Sequence, residues 1–114
     1  MKSLLTNSMN RYFTEEVTAI AATGGHRVCV TFQDGFVGEV DLTPLLNCGP
    51  IFQPVRDESI FKQVTVADGA PLWPDDLDLS PGSLRAWCEA GKFMDYDETD
   101  AWIERHIAAS ERVA

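Results

Sequence analysis

Positive charge is scarce in this chain: nine Lys and Arg stand against eighteen Asp and Glu, a net charge of −9 over 114 residues. Binding to nucleic-acid backbones or anionic lipid is built on neutralising phosphates with Lys and Arg, so direct contact with either is disfavoured and a basic protein partner is favoured. Imidazole is scarcer still, at His26 and His106. Neither has a His-x-x-x-His companion, and Cys29, Cys48 and Cys88 form no Cys-x-x-Cys pair, so zinc has no set of ligands and the cysteines read as reduced, structural thiols. Long apolar runs are missing. No stretch approaches transmembrane length, and only Leu4 and Leu5 precede the polar Thr6-Asn7-Ser8, so there is no signal-peptide core and the expected location is the cytoplasm. Gly24-Gly25 is followed by neither a Lys-Ser/Thr pair nor a long helix, and no Gly-x-Ser-x-Gly elbow occurs, which removes the warrants for a nucleotide site or a serine nucleophile. The expectation is a chain without enzymatic activity or a cofactor.

What is present suffices for one folded core. The length suits a single domain, and 45% hydrophobic with 24% charged residues is near the globular average. Residues 1–14 are polar and aperiodic apart from Tyr12-Phe13 and read as a loosely ordered lead-in. Residues 15–91 read as an α+β domain, and 92–114 as its acidic C-terminal helical extension. Val17 to Ala22 and Arg27 to Phe32 have strand character, with Val28, Val30 and Phe32 on one face. A two-residue turn at Asp34-Gly35 would set Glu39 opposite Val30 and Asp41 opposite Val28. A three-residue loop, Gln33-Asp34-Gly35 with Gly35 left-handed, pairs Val28 with Val40 and Val30 with Gly38, and is therefore predicted. Thr43-Pro44 predicts a capped short apolar turn closed by Gly49-Pro50, and Asp57 caps another. Val64-Thr65-Val66 and Leu72-Trp73 read as short strands around an Asp68-Gly69 turn. Ser80-Pro81 opens a helix carrying Leu84, Trp87 and Cys88 and ending at Gly91; Thr99 to Arg112 forms another, with Trp102, Ile103, His106 and Ile107 on one side. The predicted fold is a short antiparallel β-meander of three to five strands with short connecting helices and two C-terminal helices.

The densest polar cluster is Trp73-Pro74-Asp75-Asp76-Leu77-Asp78. Its three carboxylates suit a hard cation such as magnesium or calcium, or equally the backbone N–H groups of their own turn. Trp73 is the large anchor that a partner-binding patch needs, and Trp73, Asp75, Asp76 and Asp78 together form the candidate contact patch. Trp73 also suits burial. Asp95-Tyr96-Asp97-Glu98 with Asp100 has the density of a calcium loop but lacks its glycine and terminal glutamate, so it reads as a solvated helix start.

Phe32-Gln33-Asp34-Gly35, Asp41-Leu42-Thr43-Pro44-Leu45-Leu46, Gly49, Phe52, Asp57 with Phe61, Gly69, Trp73-Pro74, Asp78-Leu79 and Ser80-Pro81 with Leu84 follow an order and spacing. Across Val17 to Ala90 that order resembles the domain of unknown function 2442 family of small bacterial proteins. The resemblance implies a compact α+β fold with a short meander. It also implies regulatory or toxin–antitoxin-like pairing, since some relatives carry the domain before a helix-turn-helix or are encoded beside another small protein. It transfers no catalytic residue. The leading expectation is a non-catalytic interaction or regulatory module, antitoxin-like, for a basic partner; the alternative is a small-ligand or divalent-metal domain centred on residues 73–78. A homodimer through a strand edge or the C-terminal helix is a further expectation.

Overall fold

Two small antiparallel meanders, set edge to edge and backed by helices, make an α+β fold in a computed structural model that describes the backbone of residues 16–113 and side chains through His106. The first contains β1 (Val17–Gly24), β2 (Arg27–Phe32) and β3 (Val37–Asp41). Alternation along β2 turns Val28, Val30 and Phe32 into the core, each 1% exposed or less. The β2–β3 register is the one predicted from faces: Val28 opposes Val40 and Val30 opposes Gly38. The Phe32 N–H donates to Phe36 O and the Gly35 N–H to Phe32 O, both at 2.9 Å, which closes the Gln33-Asp34-Gly35 loop. Gly35 takes a φ of 96°, where a Cβ is disfavoured.

The second meander contains β4 (Thr65–Ala67), β5 (Ala70–Trp73) and β6 (Leu77–Asp78). Asp68 and Gly69, both at positive φ, make the two-residue turn between β4 and β5. Six strands in two sheets therefore stand where the sequence predicts one meander of up to five. The added strand, β6, is two residues long and pairs Leu77 with Trp73. The Val17 N–H donates to Gly69 O at 2.9 Å and ties β1 to the β4–β5 turn.

Short helical turns link the sheets. Residues Thr43–Asn47 and Pro50–Arg56 are 3-10 turns. The first starts from Leu42 without a side-chain cap; Thr43 lies inside it, its N–H at 2.9 Å and hydroxyl at 2.6 Å donating to the Asp41 carboxylate. Pro50 opens the second turn instead of ending the first, because proline fixes φ at a helical value without needing a donor. Helix α1 (Glu58–Phe61) is capped by the predicted Asp57 through the Ser59 N–H. Helix α2 (Pro81–Ala90) follows its Ser80 cap and ends at Gly91, left-handed at φ 79° with its N–H on Trp87 O. Helix α3 (Tyr96–Val113) begins three residues earlier than its apolar spacing suggests. On it Ile103 is buried, while Trp102 and His106 are half-buried and stack at 3.5 Å. Ile107, like the lead-in with Tyr12 and Phe13, lies outside the residues so described.

Helix α2 sits on β3 at Gly38, where a Cβ would come within 2.7 Å of the Cys88 Cβ. The core gathers Phe32, Leu42, Phe61, Trp73, Leu84 and Trp87 between sheets and helices. No helix among the described residues is long and apolar enough to cross a membrane.

Candidate functional site

The acidic turn keeps its carboxylates at the surface but loses its anchor. Trp73 is 2% exposed, and its indole N–H donates to Phe61 O at 2.9 Å with the two rings 5.6 Å apart. Strand alternation turns Pro71 and Trp73 inward together, so the surface role considered for Trp73 is corrected to a core role. Asp75 and Asp76 are exposed and occupy left-handed backbone at φ 67° and 60°, a conformation that aspartate tolerates better than most residues. Asp78 is exposed on β6. Among the described residues no group of three His, Cys, Asp or Glu is placed to hold a metal ion.

The second acidic cluster does local structural work. Asp95 and Glu98 form a reciprocal capping box: the Glu98 N–H donates to Asp95 Oδ1 at 2.8 Å and the Asp95 N–H to Glu98 Oε1 at 3.2 Å. One turn on, Thr99 is buried, accepting from the Trp87 indole N–H at 2.9 Å and donating to Asp95 O at 2.7 Å. This network pins the start of α3 to α2.

Between the two helices and the 3-10 turn at Thr43–Asn47 lies an open groove of about 440 Å³. Its floor and walls come from Leu45, Cys48, Trp87, Phe93, Met94 and Ile103. Tyr96, 84% exposed, stands at one lip, with Asp95 and Asp100 beside it; among the described residues no Lys or Arg lines the groove. The buried polar atoms of the floor, Trp87 Nε1 and Thr99 Oγ1, already satisfy each other. What the groove presents is apolar surface with an acidic lip. Sequence reading misses it because its lining comes from three separated segments. The available signal was Tyr96, a large aromatic inside a run of acids.

Elsewhere the ionisable groups hold the fold. Arg85, 5% exposed, grips Asp34 with two parallel bonds of 3.0 Å and Glu89 with its Nε, beneath the Phe36 ring at 4.3 Å. The Arg85 hydrogen bonds hold the Asp34 carboxyl below its usual range. Burial pushes the Cys88 thiol up to about 12, which makes it a poor nucleophile. His26 has Nε2 at 3.0 Å from Val55 O and its ring edge-on to Phe61 at 4.8 Å, so it holds the β1–β2 turn against the second 3-10 turn.

Comparison with known proteins gives a family. The family described as protein of unknown function, DUF2442, matches residues 17–90. The chain belongs to the DUF2442 family. It is also similar to the crystal structure of a Nitrosomonas europaea protein provisionally named a DNA-binding protein, at 30% identity and a TM-score of 0.64. That likeness covers 85% of this chain and 64% of the other, so the chain spans less than two thirds of that protein's length. No curated protein matches. The matched segment of this DUF2442 chain supplies Leu45, Cys48 and Trp87, whereas Phe93, Met94, Tyr96 and Ile103 lie beyond it. The groove is thus built jointly by the matched segment and by the loop and helix that follow it.

Proposed function

We propose that this DUF2442 chain is a non-catalytic regulatory module that engages a basic protein, in an antitoxin-like pairing. The groove between α2 and α3 carries the reading, because it joins an open apolar floor to a carboxylate lip, with no basic residue lining it among the described residues. Partner interfaces are built this way, from a desolvated centre inside a polar rim. The polar clusters support it, since the Asp34–Arg85–Glu89 and Asp95–Glu98 sets are engaged in holding loops and helix starts. Asp75, Asp76 and Asp78 belong to the proposal as exposed charges that steer a basic partner rather than anchor it. The relative's name suggests DNA, but a net charge of −9 opposes phosphate binding by this chain, so DNA contact is not assigned to it.

The test is affinity capture of the tagged protein from its own host at low salt, alongside a mobility-shift assay on mixed-sequence DNA. Stoichiometric recovery of a basic protein with no DNA shift is the expected result. Salt-sensitive binding of DNA by the isolated chain, with no protein recovered, would sink the proposal.

A further inference from the structure

The groove also restricts what kind of partner segment it takes. We infer that it receives an amphipathic, basic α-helix from a second protein, anchored by one or two large apolar side chains. This rests on the reading of the chain as a partner-binding module. Two of the groove's walls are helices, α2 and α3, whose backbone groups are bonded within the helices, so an extended strand docking there finds no ladder to join. An occupant must therefore satisfy its own backbone and deliver side chains, which a helix does. The floor calls for apolar groups: Trp87 and Thr99 have spent their polar atoms on each other, and Phe93, Met94 and Ile103 offer carbon and sulfur. Met and aromatic side chains adapt to varied apolar anchors. The lip sets the charge. Asp95 and Asp100 border the groove, Asp97 and Glu98 are exposed on the same first turn of α3, and among the described residues no Lys or Arg lines it, so Lys or Arg flanking the anchors finds complementary charge.

Cys48 provides a built-in reporter, because it is exposed and lies in the groove wall. The probe is a cationic amphipathic peptide of about 18 residues, roughly 27 Å as a helix, with Leu and Phe on one face and Lys on the other. Two controls accompany it: a scrambled peptide of equal charge without an apolar face, and a peptide with Glu replacing Lys. The full chain, the Asp100→Lys variant and the Tyr96→Ala variant are titrated by fluorescence anisotropy, and Cys48 alkylation is timed with and without peptide. The inference expects the cationic amphipathic peptide alone to bind and to slow Cys48 alkylation several-fold. Asp100→Lys should weaken binding by about tenfold, equivalent to ~1.4 kcal/mol. Both substitutions are at exposed positions, and unchanged circular dichroism confirms the fold.

Equal binding of the scrambled peptide would overturn the inference, since attraction by net charge alone would account for it. So would Cys48 protection in the protein alone that is relieved on dilution, because a second copy would then fill the groove. If no peptide binds while wild type and Asp100→Lys capture the same basic protein from the host, the partner reading stands and the groove is not its site. If capture fails as well, both fall.

Discussion

Burying a guanidinium costs several kcal/mol unless its donors are met, and at Arg85 all three of its nitrogens are. Asp34 takes Nη1 and Nη2 in a fork, Glu89 takes Nε, and the cation lies over Phe36 and Phe32 at 4.3 and 5.1 Å. The arrangement fastens the β2–β3 loop to α2. Arg85→Met keeps the apolar stem but removes the cation from both carboxylates; because Asp34 is partly exposed and can rehydrate, the expected loss is about 2 kcal/mol. Arg85→Lys should cost nearly as much, since an ammonium cannot reproduce the fork or the stacking. Denaturant unfolding measures both, and a Lys variant as stable as wild type would show that charge alone holds the loop. Thiol chemistry supplies a second prediction. Cys48 is exposed whereas the Cys88 thiol is buried and pushed up to about 12, so a disulfide reagent at mildly alkaline pH should modify Cys48 first and Cys88 only on unfolding. Equal rates at the two positions, read by peptide mapping, would contradict the packing of α2 on β3.

Elements with a long, self-consistent pattern were legible, and those defined by distant neighbours were not. The Gln33-Asp34-Gly35 loop followed from keeping Val28 and Val40 on the core face, which leaves one register. The Ser80 and Gly91 limits of α2 followed from capping chemistry. By contrast β6 is too short to alternate visibly, and the Thr43 bonds to Asp41 involve a carboxylate that a strand reading assigns to β3. Trp73 was placeable only as core or surface until β5 had partners on both sides. The groove needed α3 brought against α2, which the Trp87–Thr99 bond does across loop residues without periodicity. Two substitutions test these elements. Gly35→Val forces a β-branched residue to φ 96° and should destabilise by roughly 1–2 kcal/mol. Asp95→Ala removes one half of the capping box and should cost about 1 kcal/mol. Because both halves serve the same helix end, Asp95→Ala combined with Glu98→Ala should cost less than the sum of the two alone. Strict additivity in thermal unfolding would mean that the two bonds act independently.

At the scale of the whole molecule, acid acts on the fold in two ways, through the paired carboxylates and through net charge. Asp34, Glu39, Asp41 and Asp57 are all held below the ordinary carboxyl pKa. The leading causes are hydrogen bonds from Arg85 to Asp34, from Thr23 and then Arg27 to Glu39, from Thr43 to Asp41, and from Ser59 to Asp57. A carboxyl whose folded pKa lies below its unfolded value stabilises the fold above the unfolded pKa. That stability is lost as pH falls from there toward the folded value. With unfolded carboxyls near about 4, the loss begins at about pH 5 and deepens below it. Down to the isoelectric point at about 4.4, protonating other carboxylates relieves the self-repulsion of a chain with a net charge of −9; below it the chain turns net positive and repulsion returns. The first effect acts over hydrogen-bond distances and the second over the whole surface. At an ionic strength of about 0.15 M the screening length is about 8 Å, so the long-range repulsion is largely gone while the short contacts persist. The thermal midpoint should therefore fall between about pH 5 and pH 3 at that salt, and fall more steeply below about pH 4.4 at about 0.01 M ionic strength, where the weakly screened positive charge adds to the loss. Asp34→Asn, which removes one of the titrating contacts, should start from a lower midpoint at neutral pH and show a shallower acid limb. A midpoint that stays level from about pH 5 to pH 3 at the higher salt would mean that the paired carboxylates do not govern the acid stability of this fold.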